Sequence, residues 1–350
     1  MYYLIVFIMY FLTVDHAFAE KLYVVERERE GVAVIEDNKL KEIGNLGNMN
    51  HTTVKFDNGY AYVVGRDGFF SKIDIKTDTL VKRINVGKSG IGFTFCKDYI
   101  AIANYDPKDV VIVDKSLNKI KTIETDSRNV GIKCKDSLLV FSLMDKDEVH
   151  VIDVDKDFKQ VKVVKTKGQM PFDALLYGDV YIAGFFKGGI GIINMKNLEY
   201  TETIIEAGDL PTFKIPHFGT WGVTRQRAYI PAVGDRKLQI VDMKSFKYTG
   251  AVELIGLPVF VVLSPDDKYL AVNYSGDKED YITIIDLKDN TVVKNIEAGK
   301  RIMHLRFSND GKTLFVSSYF DNMMKKIDRD TWSVKDWMSV PTPSGVFIAN

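Results

Sequence analysis

From about residue 20 onward, Val, Ile, Tyr, Phe and Thr cluster in runs of five to eight residues, broken by Gly, Asp, Asn and Lys. Runs of that length and composition read as β-strands. An alternating, β-branched run ends again and again in an apolar residue followed by Asp or Asn. The pairs are Ile73-Asp74, Val113-Asp114, Ile152-Asp153, Ile193-Asn194, Val241-Asp242, Ile285-Asp286 and Ile327-Asp328, with Glu36-Asp37 after VAVI as a first, weaker copy. Their spacings are 37, 40, 39, 41, 48, 44 and 42 residues. A period near 40 with short strands and no helical stretch predicts an all-β, eight-bladed β-propeller, one domain over residues 20–350. The second repeat shows the unit, with runs at 60–64, 69–75 and 80–86 before 91–96 begins the next.

The ends of the chain predict how the ring closes. Three runs at the start (22–26, 31–36 and 40–43) lack an innermost partner, and Val346-Phe347-Ile348 follows Pro341-Thr342-Pro343 as a lone run. That last run is expected to complete the first blade and remove the open sheet edges that invite aggregation. Residues 1–19 differ from the rest: an apolar stretch from Tyr2 to Leu12, then Asp15 and His16, then Ala17-Phe18-Ala19. The stretch is too short to span a bilayer, and the A-x-A ending predicts a signal peptide cleaved after Ala19 and a periplasmic mature protein, although no Lys or Arg precedes it.

Charge and cysteine content remove several classes. Lys plus Arg and Asp plus Glu number 47 each, so no basic block marks a nucleic-acid partner. Cys96 and Cys134 cannot build a disulfide framework, and no CxxC or CxxCH is present. The two fall at matching positions of adjacent innermost strands. A disulfide there is conceivable, but such positions are expected to lie beyond the ~7 Å Cα reach of one, which favours two buried thiols.

In a propeller the loops entering the innermost strands open on one face around the central channel. Here they bring Asn50-His51, Lys88-Ser89, Arg128-Asn129, Met170-Pro171, Pro216-His217, Leu257-Pro258, Arg301-Ile302 and Pro343-Ser344. Loops between the first and second radial strands are expected on the same face, adding Arg66, Tyr105, Phe185, Phe186, Arg236, Tyr274 and Tyr319. Imidazoles suit iron, guanidinium groups pair with carboxylates, and aromatic faces pack on a flat macrocycle. The set describes a pocket for a carboxylated metal tetrapyrrole. Plainer roles stand beside these: His51 as a rim hydrogen-bonder next to Thr52 and Thr53, His217 as a structural residue beside Trp221, the arginines as solvated charges. His304 in IMHLRF either lines the channel or is a satisfied core histidine, and His150 in EVHVIDVD belongs on the outside of a strand. No GxSxG or HExxH occurs, and GGIGIIN at 188–194 precedes no helix, so it is no dinucleotide fingerprint.

At these rim residues the chain resembles the haem d1 propellers: the haem d1 domain of cytochrome cd1 nitrite reductase and, more closely, its biosynthetic relatives of the NirF type. The resemblance covers nearly the whole mature chain. It is carried by HTTVKFDNGYAYVVGRDGFFSKIDI (51–75), DSRNVGIK (126–133), MPFDALLYGDVYIAGFF (170–186), KIPHFGTW (214–221), RAYIPAVG (227–234) and PTPSG (341–345). It implies that His51 is the proximal iron ligand, that Arg66 borders the macrocycle, and that Arg66, Arg128 and Arg301 hold its carboxylates. Lys88-Ser89 stands where the reductase has an arginine segment. His217 matches one distal histidine of the reductase, while Phe172 and Asp173 stand where the other would fall.

Those departures separate two functions. Nitrite reduction would call for a c-type haem and both distal histidines. The resemblance instead implies a late step of haem d1 biosynthesis: binding haem d1 or a dihydro-haem d1 precursor, with other assembly proteins and nitrite reductase as partners. Either the macrocycle is modified, with His217 or Asp173 as acid or base, or it is held and handed on. A non-catalytic interaction propeller is the third reading, and it leaves His51 and His217 unexplained.

Overall fold

The structure is a computed structural model that describes residues 20–205 and 221–349. Eight four-stranded sheets make up the described chain, with no α-helix among the described residues. Blades two to eight are built outward in chain order. Their innermost strands are Thr53–Asp57, Ser89–Cys96, Asn129–Lys135, Pro171–Tyr177, Gly222–Val223, Leu257–Leu263 and Ile302–Phe307. Blade one is assembled from both ends of the chain: Pro343–Ala349 lies innermost, followed by Lys21–Glu26, Gly31–Glu36 and Lys39–Ile43. The closing register pairs Leu22 with Ile348, Tyr23 with Phe347 and Val24 with Val346, the closure expected from the lone terminal run.

The periodic Asp or Asn has a structural cause. It stands at the end of the third strand, and its side chain accepts backbone N–H groups from the turn to the fourth. Asp74 takes the Thr77 N–H at 2.9 Å, Asp114 that of Asn118 at 2.8 Å, Asn194 that of Lys196 at 2.9 Å and Asp242 that of Ser245 at 2.7 Å. These are side-chain-closed turns, which Asp and Asn form readily. Blade one turns differently: Asp37 and Asn38 both take positive φ, 51° and 58°.

The core sits between blades. Tyr23, Val25, Val32 and Val34 of blade one pack on Val54, Ala61, Val63 and Ile73 of blade two, while Leu22, Val24 and Ile35 pack on Phe315 and Met324 of blade eight. Middle strands are therefore covered on both faces. Val110, Val111, Ile112 and Val113 are all buried, so the burial does not alternate as the sequence pattern was read to require. Alternation belongs to strands with one wet face.

Two expectations are corrected. Cys96 and Cys134 are joined in a disulfide, with Cα atoms 5.4 Å apart. They sit at the far ends of the innermost strands of blades three and four, which converge there to bonding distance instead of standing a full blade apart. The bond closes a 38-residue loop, so chain-entropy arguments give it about 4 kcal/mol. Cys134→Ser should lower the denaturation midpoint by an amount corresponding to a few kcal/mol, and reductant should do the same to the unaltered chain and nothing further to the variant. Unchanged midpoints in both would show that the staple is energetically idle.

The second correction concerns loops. Arg66, Arg236 and Tyr319 lie on connections between second and third strands, and Tyr105 and Tyr274 at the second-strand ends leading into them. In an antiparallel blade the first connection turns back at the opposite face, and only the second returns to the face where the innermost strand begins. The rim assignment of these residues stands, for a different loop.

Candidate functional site

A central cavity of about 640 Å³ opens at that rim and runs down between the innermost strands. Its size lies in the range of small-molecule and cofactor sites. His51 occupies its edge, on the turn leading into the innermost strand of blade two, in the left-handed region with φ 55°. His51 is an exposed rim residue, yet partial burial of its ring, then the positive fields of Arg27 and Arg66, hold its imidazole below the usual histidine range. The neutral ring keeps a lone pair at physiological pH, the form that ligates metals.

Arg301 also lines the mouth. Its backbone N–H donates to Asp280 Oδ1 at 2.8 Å, and its guanidinium lies 5.3 Å from the Tyr319 ring centroid and 3.9 Å, through Nε, from Glu279 Oε2. Asp173 lines the wall, buried, with its Oδ1 accepting the Ala174 N–H at 2.8 Å. His51, Asp173 and Arg301 are thus the sequence-predicted residues that the fold brings to one cavity.

Four others stand outside its lining. Arg128 is bound to Asp145 through Nε at 2.9 Å and Nη2 at 2.6 Å, with Lys108 Nζ on the same carboxylate at 3.1 Å. The paired Arg128 guanidinium, foremost, holds the Asp145 carboxyl well below the carboxylate range. Arg66 stacks on Tyr105, 4.9 Å from ring centroid to guanidinium carbon, and the Tyr105 hydroxyl donates to Met144 Sδ at 3.6 Å. Burial pushes that phenol up to about 12. Lys88 is exposed, and its backbone N–H donates to the Asp106 carbonyl. Together Arg66, Tyr105 and Arg128 form a second rank behind the rim. His217 lies outside the described residues.

His304 turns out to be both things its alternatives allowed: it lines the cavity, and its Nδ1 accepts the Val346 N–H at 3.4 Å. Packed between Phe260 and Phe347, with ring centroids 5.0 and 5.4 Å away, it is pushed down to about 3, by burial first and then by Arg306.

The cavity holds residues that the sequence reading passed over. Arg27 comes from the second-to-third connection of blade one, the same loop class as Arg66, and donates through Nε to Asn50 Oδ1. Lys55, Lys133 and Arg306 rise from the innermost strands themselves. Their signal was present: each is a charged residue flanked on both sides by apolar ones, Val54 and Phe56, Ile132 and Cys134, Leu305 and Phe307. His150, as expected, lies away from the cavity, on the third strand of blade four, with Nε2 2.8 Å from Glu148 Oε2.

Does this donor set suit an iron tetrapyrrole? No group of three or more His, Cys, Asp or Glu able to hold a metal occurs among the described residues. An iron already held by ring nitrogens asks the protein only for axial ligands, and a neutral imidazole is a common one. Cations for carboxylate arms and the aromatic walls of Phe93, Phe260 and Phe347 complete a set that fits.

Comparison with known proteins agrees. A family model described as the cytochrome D1 heme domain matches residues 19–350. The chain is 29% identical over 354 residues to Protein NirF of Stutzerimonas stutzeri, covering 93% of this chain and 90% of that one. It is 29% identical over 356 residues to Protein NirF of Pseudomonas aeruginosa, with the same 93% and 90% coverage. Among solved structures it is similar to the dihydro-heme d1 dehydrogenase NirN in complex with DHE, at 17% identity and TM-score 0.81, covering 94% of this chain and 75% of that one. AztD of Citrobacter koseri is similar at 15% identity and TM-score 0.72, covering 95% and 98%. The two structural likenesses speak for the fold.

Proposed function

The chain belongs to the cytochrome D1 heme domain family, and from that premise we propose that it acts late in haem d1 biosynthesis, receiving a dihydro-haem d1 precursor in its central cavity and passing it to a partner. The observation that carries this reading is the cavity itself: a neutral imidazole at the mouth, cations at mouth and floor, and aromatic walls between. When bound, the macrocycle would supply an iron able to take a ligand from the protein. His51 offers it a lone pair. Arg27 and Arg301 meet carboxylate arms at the mouth. Arg66, stacked on Tyr105, keeps the rim positive, Arg128 would meet a carboxylate arm only by giving up Asp145, and Lys88 adds an exposed charge nearby. Other haem d1 assembly proteins and nitrite reductase are the partners this role calls for.

A second reading, modification of the macrocycle, is favoured by Asp173, a buried carboxylate on the cavity wall placed to hold or move a proton. His217 is its proposed counterpart as acid or base. Export to the periplasm belongs to the same proposal. It is supported by the Cys96–Cys134 disulfide, a bond that persists in oxidising compartments; the proposed signal segment, residues 1–19, lies outside the described residues. Among those residues no helix is long and apolar enough to cross a membrane.

An anaerobic visible titration of the purified mature protein with haem d1 and with dihydro-haem d1, nothing else present, separates the readings. Tight binding of the precursor with a stable spectrum is the expected result and supports handover. Slow conversion to a new chromophore, abolished by Asp173→Asn, would make the protein an enzyme. No binding of either would overturn both readings.

A further inference from the structure

We propose that the inner end of the cavity is a carboxylate-binding subsite built from Arg306, Lys55 and Lys133. The cavity lining carries five cationic side chains (Arg27, Lys55, Lys133, Arg301 and Arg306) against two carboxylates, Asp173 and Glu279. Glu279 stands at the mouth beside Arg301, so Asp173 alone is left to offset three cations deeper in. Lys55 belongs to the innermost strand of blade two, Lys133 to that of blade four and Arg306 to that of blade eight, each one or two residues from its strand's end. All three line the one cavity, and Lys133 lies close enough to Lys55 to disfavour its charge. The Lys55 ammonium donates to the Phe93 carbonyl and lies 5.0 Å from the Phe93 ring centroid.

Arg306 is the informative residue. Among the described residues its guanidinium makes no hydrogen bond or ion pair, although it is partly buried in the cavity wall and desolvation disfavours its charge. A guanidinium partly withdrawn from water and left without a partner is costly, and folded proteins tend to pair such groups. Five N–H donors in a planar fork match a carboxylate better than any neutral group. The adjoining walls are the rings of Phe93 and Phe347. The occupant is then a carboxylate carried by, or lying against, a flat apolar body. Two sources share that chemistry: a carboxylate arm of the bound macrocycle, or a small free carboxylate beneath it. The first rests on the reading of the preceding subsection; the second does not.

The test uses the full mature protein and its Arg306→Met and Arg306→Lys variants, with two probes. One is iron protoporphyrin, compared with its dimethyl ester by visible titration. The other is propionate, followed by saturation-transfer NMR. If a ring arm fills the subsite, Arg306→Met weakens the free-acid macrocycle by about tenfold or more and leaves the ester unchanged. If a free carboxylate fills it, macrocycle affinities stay equal and the propionate signal disappears in Arg306→Met. Either result supports the subsite, and Arg306→Lys should retain the binding in part. A wild-type protein that binds propionate in an Arg306-dependent way but no macrocycle would sink the functional reading and leave the subsite standing. Thermal unfolding without ligand supplies the structural control. Removing an unpartnered, partly buried charge should not lower Tm, so a lowered Tm in Arg306→Met, or no change in either probe, would overturn the proposal.

Discussion

Alanine in place of His51 is expected to weaken binding of a haem d1-type macrocycle by at least about tenfold, equivalent to about 1.4 kcal/mol, and to shift the visible bands of the complex. The argument is one of position and charge state. Among the described residues His51 is the histidine at the mouth of the cavity, and its surroundings favour the neutral ring, so no proton has to leave before it can ligate a metal. His304 also lines the cavity, yet its Nδ1 is engaged by the Val346 N–H and its ring is wedged between two phenylalanines. The band shift matters more than the affinity, because loss of an imidazole from the iron would alter the visible bands, whereas loss of a contact at the rim would chiefly alter affinity. Two controls keep the result interpretable. His51→Asn preserves a residue that tolerates the left-handed backbone found there, so it should reproduce the spectral change with the fold intact. His150→Ala removes a ring hydrogen-bonded to Glu148 and away from the cavity, and should change neither band position nor affinity. Identical spectra for the His51 and His150 variants would remove His51 from the site.

Much of this molecule could be read from its sequence because propeller geometry is local. Each turn closed by an Asp or Asn side chain returns at nearly the same interval, so Asp74, Asp114 and Asp242 marked their blades without tertiary information. The lone strand after Pro343 had one partner left to find. The entrance to each innermost strand was legible for the same reason, and it delivered His51 and Arg301. What was missed is what depends on distance across the ring. Cys96 and Cys134 are 38 residues apart, and nothing in either strand announces that the two ends converge. Arg128 looked available in sequence, but Asp145, arriving from the next connection, holds it with two hydrogen bonds. The floor escaped for another reason. Attention fell on loops, where function is usually carried by a rigid scaffold, whereas a channel is walled by strands whose every second residue faces the lumen. Lys55, Lys133 and Arg306 line that channel, hidden among apolar neighbours.

Lys55 leads to the remaining expectation: macrocycle binding should take up close to one proton at pH 8 to 9, and the uptake should vanish in Lys55→Met. In the ligand-free protein Lys55 is pushed down to about 7, first by burial and then by Lys133, with Asp173 pulling the other way. A carboxylate arriving at the inner end favours the charged form and raises the value again. Between the two values the complex holds a proton that the free protein does not. The sign follows: above pH 7 affinity should fall as pH rises, by up to about tenfold per unit, and below it affinity should level off. Burial depresses both His51 and His304, so neither is expected to gain or lose a proton in this window. Arg27, Lys133, Asp173, Glu279, Arg301 and Arg306 face the same space, which is why the lysine variant, and not the pH profile alone, decides the assignment. Calorimetric titration in two buffers of different ionisation heat gives the proton count directly. Uptake that persists in Lys55→Met would place the proton on another group, and a count near zero in the unaltered protein would mean that no carboxylate comes near Lys55. The same depression acts on stability without ligand. Because the folded value lies below that of the unfolded chain, the unfolded state binds more protons between about pH 7 and 10.5, so the empty protein should lose stability as pH falls through that window. The ligand should then protect it most near neutrality, where the cavity's unpaired positive charge is greatest.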